Sequence, residues 1–401
     1  MPGKRRQDIK EAQVQGLKYF QRLLPMLERL HHVGCEGDKA GNRKLHYDQY
    51  CALILLFLFN PIVSSLRGLV QASELRKVQR KLGCPRASLG SLSEAVSVFA
   101  PERLEAIIAE LGEQLEPVVR DGRIQSLGQV VTAVDGTLLK KLPAIASASL
   151  QKNASHRWKL HAHFEVLKGV PRRMDLTGAS GRGDAGEKAV LRRTLEPDRL
   201  YVADRGYEQF SLFNAIVAAG SGYVVRIRND RAFTPECEHP ISDEAAAEGV
   251  LEDAVGRLGS PNSKRIEHPD HPVRLVRVKA TPHPKRGGRR RASTHEEIVL
   301  ATNRLDVPPE VISLIYQYRW QVEIFFRFFK HVLGCRHLLS ERPDGIAIQT
   351  YCAIIACLLL ALTTGRKPTL RTYEMVCYYF TGLADEEELL AHLEKLPPQD
   401  A

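Results

Sequence analysis

The chain has 401 residues, of which 44% are hydrophobic and 26% are charged. This composition is typical of a globular protein with two or three domains, and it excludes a chain too polar to bury a large core. Lysine and arginine outnumber aspartate and glutamate by 57 to 47, so the net charge is +10 at pH 7, an excess that favours a polyanionic partner, most commonly nucleic acid.

Residues 1–128 are predicted to form an N-terminal helical domain that binds DNA. Apolar residues recur at helical spacing in segments 9–30, 46–59, 65–82, 88–99 and 101–120. Gly83 has the residue type that ends helices, and Ser88 or Ser91 the type that begins them. The sequence around residues 82–99 indicates either a helix-turn-helix that reads DNA or an ordinary corner of a helical bundle.

Between residues 129 and 229 the pattern changes to alternating strands and helices. Apolar, β-branched runs predict strands at 129–139, 159–167, 170–177, 199–204 and 222–228, and helical periodicity predicts helices at 184–195 and 209–219. The resulting order β-β-β-α-β-α-β predicts a mixed sheet with helices on its faces. In such sheets, chemistry gathers at strand ends and in the adjoining loops.

Residues 230–305 are rich in proline, glycine, histidine and charge, and are predicted to form a β-rich insertion with strands at 273–280 and 297–302. Between these strands lies a basic run that includes Arg289, Arg290 and Arg291. It would be a loop that grips phosphates or one that only adds solubility. Residues 306–340 would contribute a further core helix, and residues 341–401 a C-terminal helical region.

Four polar residues share one face of the helix predicted at residues 314–333. Tyr316, Arg319, Glu323 and Lys330 are separated by three, four and seven residues, which places them within about 60° around a helix. Such a stripe is either a solvated face or a carboxylate flanked by two cations and a phenol. The opposite side would anchor the helix in the core. Its apolar residues are Trp320, Ile324, Phe325, Phe328 and Phe329.

Two aspartates in the predicted sheet accompany Glu323. Asp135 lies inside the apolar run 129–139, and Asp204 ends a predicted strand just before Gly206. A buried carboxylate is costly unless it is paired or holds a metal. In two-metal phosphodiester chemistry, two Mg²⁺ ions about 3.5–4 Å apart stabilise the attacking and leaving oxygens. Mg²⁺ prefers a few carboxylates with water and phosphate oxygens as ligands, so these three acids would suit such a site.

The sequences VDGT at 134–137 and ADRGY at 203–207, followed by the Y-x2-R-x3-E-x6-K spacing from Tyr316 to Lys330, resemble the DDE transposases of bacterial insertion sequences. The likeness runs from about residue 126 to 335. It implies an α/β fold with an RNase H-like mixed-sheet core, a β-rich insertion and flanking helical regions. It also implies that Asp135, Asp204 and Glu323 are catalytic and bind two ions of Mg²⁺ or Mn²⁺. Cut-and-paste transposition would follow, in which water attacks at the element end and the freed 3′-OH attacks target DNA.

The same resemblance implies that Tyr316, Arg319 and Lys330 hold DNA phosphates beside the scissile bond. Arg205, next to Asp204, would contact DNA or pair with a carboxylate. The partners would be transposon-end and target DNA, bound by a homodimer. Two alternatives stay open: an RNase H-like nuclease without strand transfer, and a catalytically silent DNA-binding protein derived from a transposase.

Some relatives hold a flipped base with an aromatic residue of the insertion, often tryptophan, while a DNA hairpin forms. Both tryptophans of this chain, Trp158 and Trp320, lie outside residues 230–305. Phe233 would be the substitute within the insertion, and the hairpin step stays open.

The remaining signals argue against other classes of protein. The eight cysteines form no CxxC pair and no cluster with zinc-ligand spacing, which favours reduced cytosolic thiols. Residues 1–16 lack the apolar segment of a signal peptide, and the apolar runs 51–63 and 346–363 are predicted to be buried helices. His161 and His163 are predicted to face the core or DNA. We therefore expect a bacterial cytoplasmic protein that associates with the nucleoid when bound to DNA, and no membrane contact.

Overall fold

The computed structural model describes residues 10, 12, 14–33, 41, 43–119, 121–139, 158–178, 183–260, 268–279, 297–334, 338–340, 342–365 and 369–396. In this part of the chain, the strands form one nine-stranded sheet with the order β3-β2-β1-β4-β5-β9-β8-β7-β6, so that β3 and β6 are its outer strands. The strands are β1 Val130–Leu139, β2 Trp158–Glu165, β3 Val170–Gly178, β4 Arg199–Ala203, β5 Gly222–Ile227, β6 Phe233–Glu238, β7 Val250–Leu258, β8 Val273–Lys279 and β9 Glu297–Thr302.

The first five strands have the topology predicted from the alternation of elements. β1, β2 and β3 form an antiparallel meander, whereas β1 and β4 and then β4 and β5 pair in parallel. Helix α8, Glu187–Arg193, connects β3 to β4, and helix α9, Phe210–Ala218, connects β4 to β5. The predicted α/β fold with an RNase H-like mixed sheet is therefore confirmed.

The segment predicted as an insertion continues the same sheet. β9 pairs with β5 in antiparallel orientation, with Val225 opposite Ala301, and β8, β7 and β6 follow outward. The two predicted strands correspond to β8 and β9. The strand β6, which contains Pro235 and is almost wholly exposed, carries too little apolar alternation to be predicted from sequence. Arg289, Arg290 and Arg291 lie outside the described residues.

The N-terminal region is helical, but two segments predicted as single helices are each divided into shorter elements. The segment 9–30 contains a 3-10 turn, Leu17–Phe20, and a separate short helix, because Gly16 adopts φ 72° and Pro25 lies in the first turn of that helix. The segment 65–82 is divided where Leu75 is extended at ψ 126°. As predicted, Gly83 ends a helix at φ 60° and Ser88 caps the next by accepting from the Ser91 amide. The helices are α1 Leu24–Glu28, α2 Tyr47–Phe59, α3 Leu66–Glu74, α4 Arg76–Leu82, α5 Leu89–Ala95, α6 Arg103–Glu113 and α7 Gly122–Gln125.

The remaining helices close the core on one face of the sheet. They are α10 Asp243–Ala247, α11 Pro309–Tyr318, α12 Trp320–Gly334, α13 Pro343–Thr364, α14 Leu370–Thr381 and α15 Glu386–Glu394. Among the described residues, α13 is the one helix long and apolar enough to cross a membrane, but 83% of its apolar window is buried inside the structure. It packs against α2, α6 and α12, so the prediction of a buried helix is confirmed.

The predicted helix at 314–333 is two helices, α11 and α12, that meet at Arg319. The residues that anchor α12 differ from those predicted. Trp320 is 37% exposed and Ile324 is 36% exposed, so their prediction as core anchors is wrong. The buried anchors are Val322, Phe325, Phe326, Phe328, Phe329 and Val332.

Candidate active site

Asp135 and Asp204 lie at the same level of two neighbouring parallel strands. Ala133 of β1 is paired with Val202 of β4, and each aspartate follows its strand's paired residue by two positions. Adjacent strands are about 4.8 Å apart, so the register brings the two carboxylates close together. They lie at the carboxyl end of β4, and parallel strands commonly present ligand sites at that end. A sequence can predict this arrangement because strand alternation fixes the face of both residues.

Each aspartate is held by the backbone that follows it. Asp135 Oδ1 accepts a hydrogen bond of 2.7 Å from the Gly136 amide, and Asp204 Oδ1 accepts one of 2.8 Å from the Gly206 amide. A Cβ atom at Gly206 would lie 2.9 Å from Asp204 Oδ1. Glycine at 206 therefore lets the chain turn closely around the Asp204 carboxylate.

Glu323 is linked to Asp135 through Arg319. The Arg319 Nη2 atom donates to Glu323 Oε1 at 2.7 Å, while Nη1 lies 3.9 Å from Asp135 Oδ2. The Arg319 side chain is 14% exposed, and its guanidinium carbon lies 5.8 Å from the centre of the Tyr316 ring. Thus, α11 supplies a phenol, the helix break a cation and α12 a carboxylate, and all three lie beside β1.

The electrostatics of the site leave its negative charge only partly balanced. Burial raises the pKa of Asp135 to about 6, with further upward contributions from Asp204 and Glu323, against the Gly136 amide and Arg319, which lower it. Burial also raises the pKa of Tyr316 above its usual range. Burial and the two neighbouring acids thus oppose ionisation of Asp135. A divalent cation bound between Asp135, Asp204 and Glu323 would favour the charged form of each carboxylate. The residues present therefore fit a site for hard, oxygen-seeking ions.

The structure adds two residues that sequence reasoning missed. Glu187, in the first turn of α8, forms an ion pair with Lys159 of β2, with 2.6 Å between Nζ and Oε1. A Cβ atom at Gly136 would lie 2.4 Å from the same Oε1, so this fourth carboxylate packs against Gly136, the residue that follows Asp135. From sequence, an acid at a helix start indicates only a favourable helix dipole. No motif could have linked it to Asp135.

Three buried groups surround the site. Tyr207 is buried, and its pKa is raised by burial and by the nearby carboxylates Glu187, Asp135 and Asp204. The two core histidines, His161 and His163, are 4% and 5% exposed. Their Nε2 atoms contact threonine hydroxyls at 2.9 and 3.0 Å, and burial lowers the pKa of both to about 4. Of the two predicted alternatives, core or DNA-facing, the burial of both histidines corresponds to the core.

The other predicted DNA-binding residues are spread along the surface near the site. Arg205 is exposed directly after Asp204. Lys330 is exposed on α12, about 10 Å along the helix axis from Glu323, given a rise of about 1.5 Å per residue. Phe233, at the start of β6, is half-buried against the core cluster beneath α9. Their contact with DNA stays a prediction.

Residues 126–359 match the family model of the transposase DDE domain. The match spans more than half of the chain and includes Asp135, Asp204 and Glu323. The chain therefore belongs to the DDE-domain transposase family, and the resemblance predicted from its motifs is confirmed.

Two curated relatives show similar sequences. The chain is 27% identical over 252 residues to the sequence-predicted transposase y4zB of Sinorhizobium fredii, covering 60% of this chain and 63% of that relative. It is 24% identical over 204 residues to a transposase assigned to an insertion sequence element of Geobacillus stearothermophilus, covering 50% of this chain and 48% of that relative. The matches thus span less than two thirds of either relative. Among solved structures, the piggyBac transposase synaptic complex with hairpin DNA is similar over 95% of this chain and 84% of its own, with a TM-score of 0.41 and 10% identity.

Proposed function

We propose that the protein is a DNA transposase that cleaves the ends of its element and joins them to target DNA, with Asp135, Asp204 and Glu323 as the catalytic residues. The observation that carries this proposal is that carboxylates from β1, from the end of β4 and from α12 lie close together, two of them beside the Arg319 guanidinium. DDE transposases generally use divalent metal ions. The finer assignment of two Mg²⁺ or Mn²⁺ ions rests on the oxygen-only character of this ligand set.

Each of the three acids would have a defined task. Asp135 of β1 and Asp204 at the end of β4 would hold the ions, and Glu323 of α12 would complete the ligand set. When bound, the two ions would stabilise charge on the attacking and leaving oxygens of the phosphodiester. Asp135 must lose its proton before it can bind, and its raised pKa makes that step dependent on pH near 6.

The cations of the site suit phosphate. Arg319 presents a planar guanidinium, which matches two phosphate oxygens at once, and the exposed Lys330 and Arg205 add point charge nearby. Tyr316 would steady Arg319 through the ring face that it presents to the guanidinium. With a net charge of +10, binding to transposon-end and target DNA should weaken steeply as salt rises, because phosphate neutralisation releases counterions.

The expected setting is the bacterial cytoplasm, with association to the nucleoid while DNA is bound. A homodimer would pair two transposon ends. Both inferences rest on the family to which the chain belongs.

The proposal is tested with a labelled duplex that carries the element's own terminal sequence, together with a supercoiled target plasmid. We expect nicking and joined products that require Mg²⁺ or Mn²⁺ and that fall at least about 10³-fold in Asp135→Asn, while DNA binding persists. Asp230→Asn, at an exposed carboxylate outside the site, should retain activity. Nicking without joined product would favour the nuclease alternative. Binding without nicking under any divalent ion would favour the silent DNA-binding protein.

A further inference from the structure

Three histidines converge where α1 leads into α2, far along the chain from the carboxylate site. His31 and His32 follow α1, and His46 immediately precedes Tyr47, the first residue of α2. One ring nitrogen from each histidine lies within 4.8 Å of the others. The ring centres of His31 and His46 are 3.7 Å apart, and those of His31 and His32 are 4.6 Å apart. The sequence spacing of one and fourteen residues matches no zinc motif, so the fold alone brings these rings together.

Hydrogen bonds engage the Nδ1 atom of two of the rings and leave Nε2 as the nitrogen available to a metal. Nδ1 of His31 lies 2.9 Å from Asp48 Oδ2, and Nδ1 of His46 lies 3.0 Å from the His31 carbonyl oxygen. A carboxylate and a carbonyl can only accept, so both Nδ1 atoms donate, and in the neutral form of each ring Nε2 keeps a lone pair. Metal-binding histidines are oriented in this way by carboxylate or carbonyl partners.

Asp48 supplies a second, independent sign that the cluster lacks a ligand. Its side chain is 13% exposed. Its Oδ2 atom contacts His31, whereas its Oδ1 atom is buried with no hydrogen-bond partner among the described residues. A buried, unpaired carboxylate oxygen is costly. A cation, or water held by one, would satisfy it.

We propose that His31, His32 and His46 bind one Zn²⁺ ion, with Asp48 as the residue that positions His31. Imidazole nitrogens suit Zn²⁺, whereas the all-oxygen site of Asp135, Asp204 and Glu323 suits Mg²⁺. The two sites therefore select different ions. Zn²⁺–N distances of about 2.0–2.1 Å place tetrahedral ligands about 3.4 Å apart, so the rings need only side-chain rotation to close on the ion.

Binding would change the local geometry in a defined way. The planes of His31 and His46 are now 15° apart, and in-plane lone pairs of near-parallel rings cannot meet at one point. The rings must tilt apart to share the ion. The bound ion would then tie residues 31–32 to the start of α2, a helix that is buried along nearly its whole length, and would stabilise the N-terminal region.

The test uses the full chain after chelator treatment, in excess Mg²⁺ so that the carboxylate site is already filled. Zn²⁺ is titrated against a chromophoric chelator, and Tm is followed in parallel. We expect one Zn²⁺ per chain and a rise in Tm. His32→Ala, at an exposed ring, should weaken Zn²⁺ binding at least about tenfold, and Asp48→Asn by about 10–100-fold.

The matched control is His239→Ala, because His239 is exposed outside the cluster and its loss should leave Zn²⁺ binding unchanged. Circular dichroism without Zn²⁺ verifies that each variant is folded, and His32→Gln replaces His32→Ala if the latter is not. The proposal is overturned if the parent takes up no Zn²⁺ in excess Mg²⁺. It is equally overturned if the folded His32 and Asp48 variants bind Zn²⁺ as tightly as the parent.

Discussion

Arg319 donates a 2.7 Å hydrogen bond to Glu323 across the break between α11 and α12. In an uninterrupted helix this would be an ordinary surface pair four residues apart. Here, the guanidinium of Arg319 also lies 3.9 Å from Asp135 Oδ2. Arg319 therefore partly neutralises two carboxylates of the site before any other cation or DNA is present.

The first prediction concerns Arg319→Gln, which should have opposite effects on metal binding and on catalysis. Loss of the cation leaves Asp135 and Glu323 facing each other, so affinity for Mn²⁺ should rise severalfold. Nicking should nevertheless fall by about 10²–10³-fold, because a preorganised cation for the phosphate is lost. Calorimetric Mn²⁺ binding and single-turnover nicking measure the two effects.

Arg327→Gln is the control for Arg319→Gln. Arg327 lies on the same α12 helix, exposed over the Trp320 ring at 5.5 Å, and its loss should change neither Mn²⁺ affinity nor nicking by more than about twofold. Weaker Mn²⁺ binding in Arg319→Gln would contradict the assignment of Arg319 as a neutralising cation.

The second prediction concerns the pH dependence of stability. Burial raises the pKa of Asp135 from 3.8 to about 6, so between these values the folded state binds more protons at this group than the unfolded state. The contribution of Asp135 to stability therefore falls as pH rises through this window and is most unfavourable above pH 6. In EDTA, Asp135→Asn should raise the free energy of unfolding by about 1–3 kcal/mol at pH 8 and by less at pH 5. Urea titrations at both pH values measure the difference.

The exposed Asp230→Asn serves as control and should show no such pH-dependent gain. In the parent, the affinity for Mn²⁺ should fall by up to about tenfold for each pH unit below 6, because the ligand must be deprotonated. An Asp135→Asn gain that is equal at pH 5 and pH 8 would show that Asp135 titrates normally.

The third prediction separates the role of Gly136 in the site from its role in folding. In Gly136→Ala, the new Cβ would lie 2.4 Å from Glu187 Oε1 and 2.9 Å from Lys159 Cε. Both atoms are ends of flexible side chains, so the free energy of unfolding should change by less than about 1 kcal/mol. Nicking should fall about tenfold or more, because a shift of Gly136 moves the amide that donates to Asp135 Oδ1.

Gly178→Ala is the matched control, since a Cβ there meets no atom of the described part of the chain within 4 Å. Glu187→Gln should reproduce the loss of nicking. If both glycine variants nick as the parent does, the Glu187–Lys159 pair has no part in positioning Asp135.

The fourth prediction concerns a buried ion pair that joins the outer sheet to the entry of α11. Arg274 of β8 donates to both Asp253 oxygens of β7 at 2.7 Å, and also to the Val307 carbonyl. The two side chains are 6% and 3% exposed. Arg274→Met leaves Asp253 buried without a partner and should cost about 3–5 kcal/mol. Chemical denaturation measures the loss.

Adding Asp253→Leu to Arg274→Met should recover part of that stability, because no unpaired charge then remains. Arg257→Met is the control, since its pair with Glu236 is exposed at 84% and 49% and should contribute less than about 0.5 kcal/mol. Equal losses from Arg257→Met and Arg274→Met would contradict the assigned importance of burial.

The central sheet and its two aspartates could be predicted because each depends on local sequence. Alternation fixes the face of every strand residue, and short connections fix which strands are neighbours, so Asp135 and Asp204 were placed correctly from pattern alone. The family resemblance also depended on short motifs, of which VDGT and ADRGY lie in this part of the sheet.

The parts that could not be predicted depend on tertiary contacts. Periodicity continues unchanged through Arg319, so the break between α11 and α12 leaves no signal, and Trp320 was assigned to the core when it is exposed. Glu187 reaches the site only through packing of α8 on the sheet. The histidine cluster likewise depends on how residues 31–32 fold back onto the start of α2. In each case, the contact forms between residues whose relative positions are set by the tertiary fold and not by the local sequence.

The two outer strands of the sheet, β3 and β6, are poorly suited to pairing with a strand of another copy. β3 contains Pro171 and β6 contains Pro235, and each proline interrupts the row of amide donors that another molecule's strand would need. Charged neighbours such as Arg172 and Glu236 add a desolvation cost to any such docking. Fibre-like growth through strand addition at β3 or β6 is therefore discouraged.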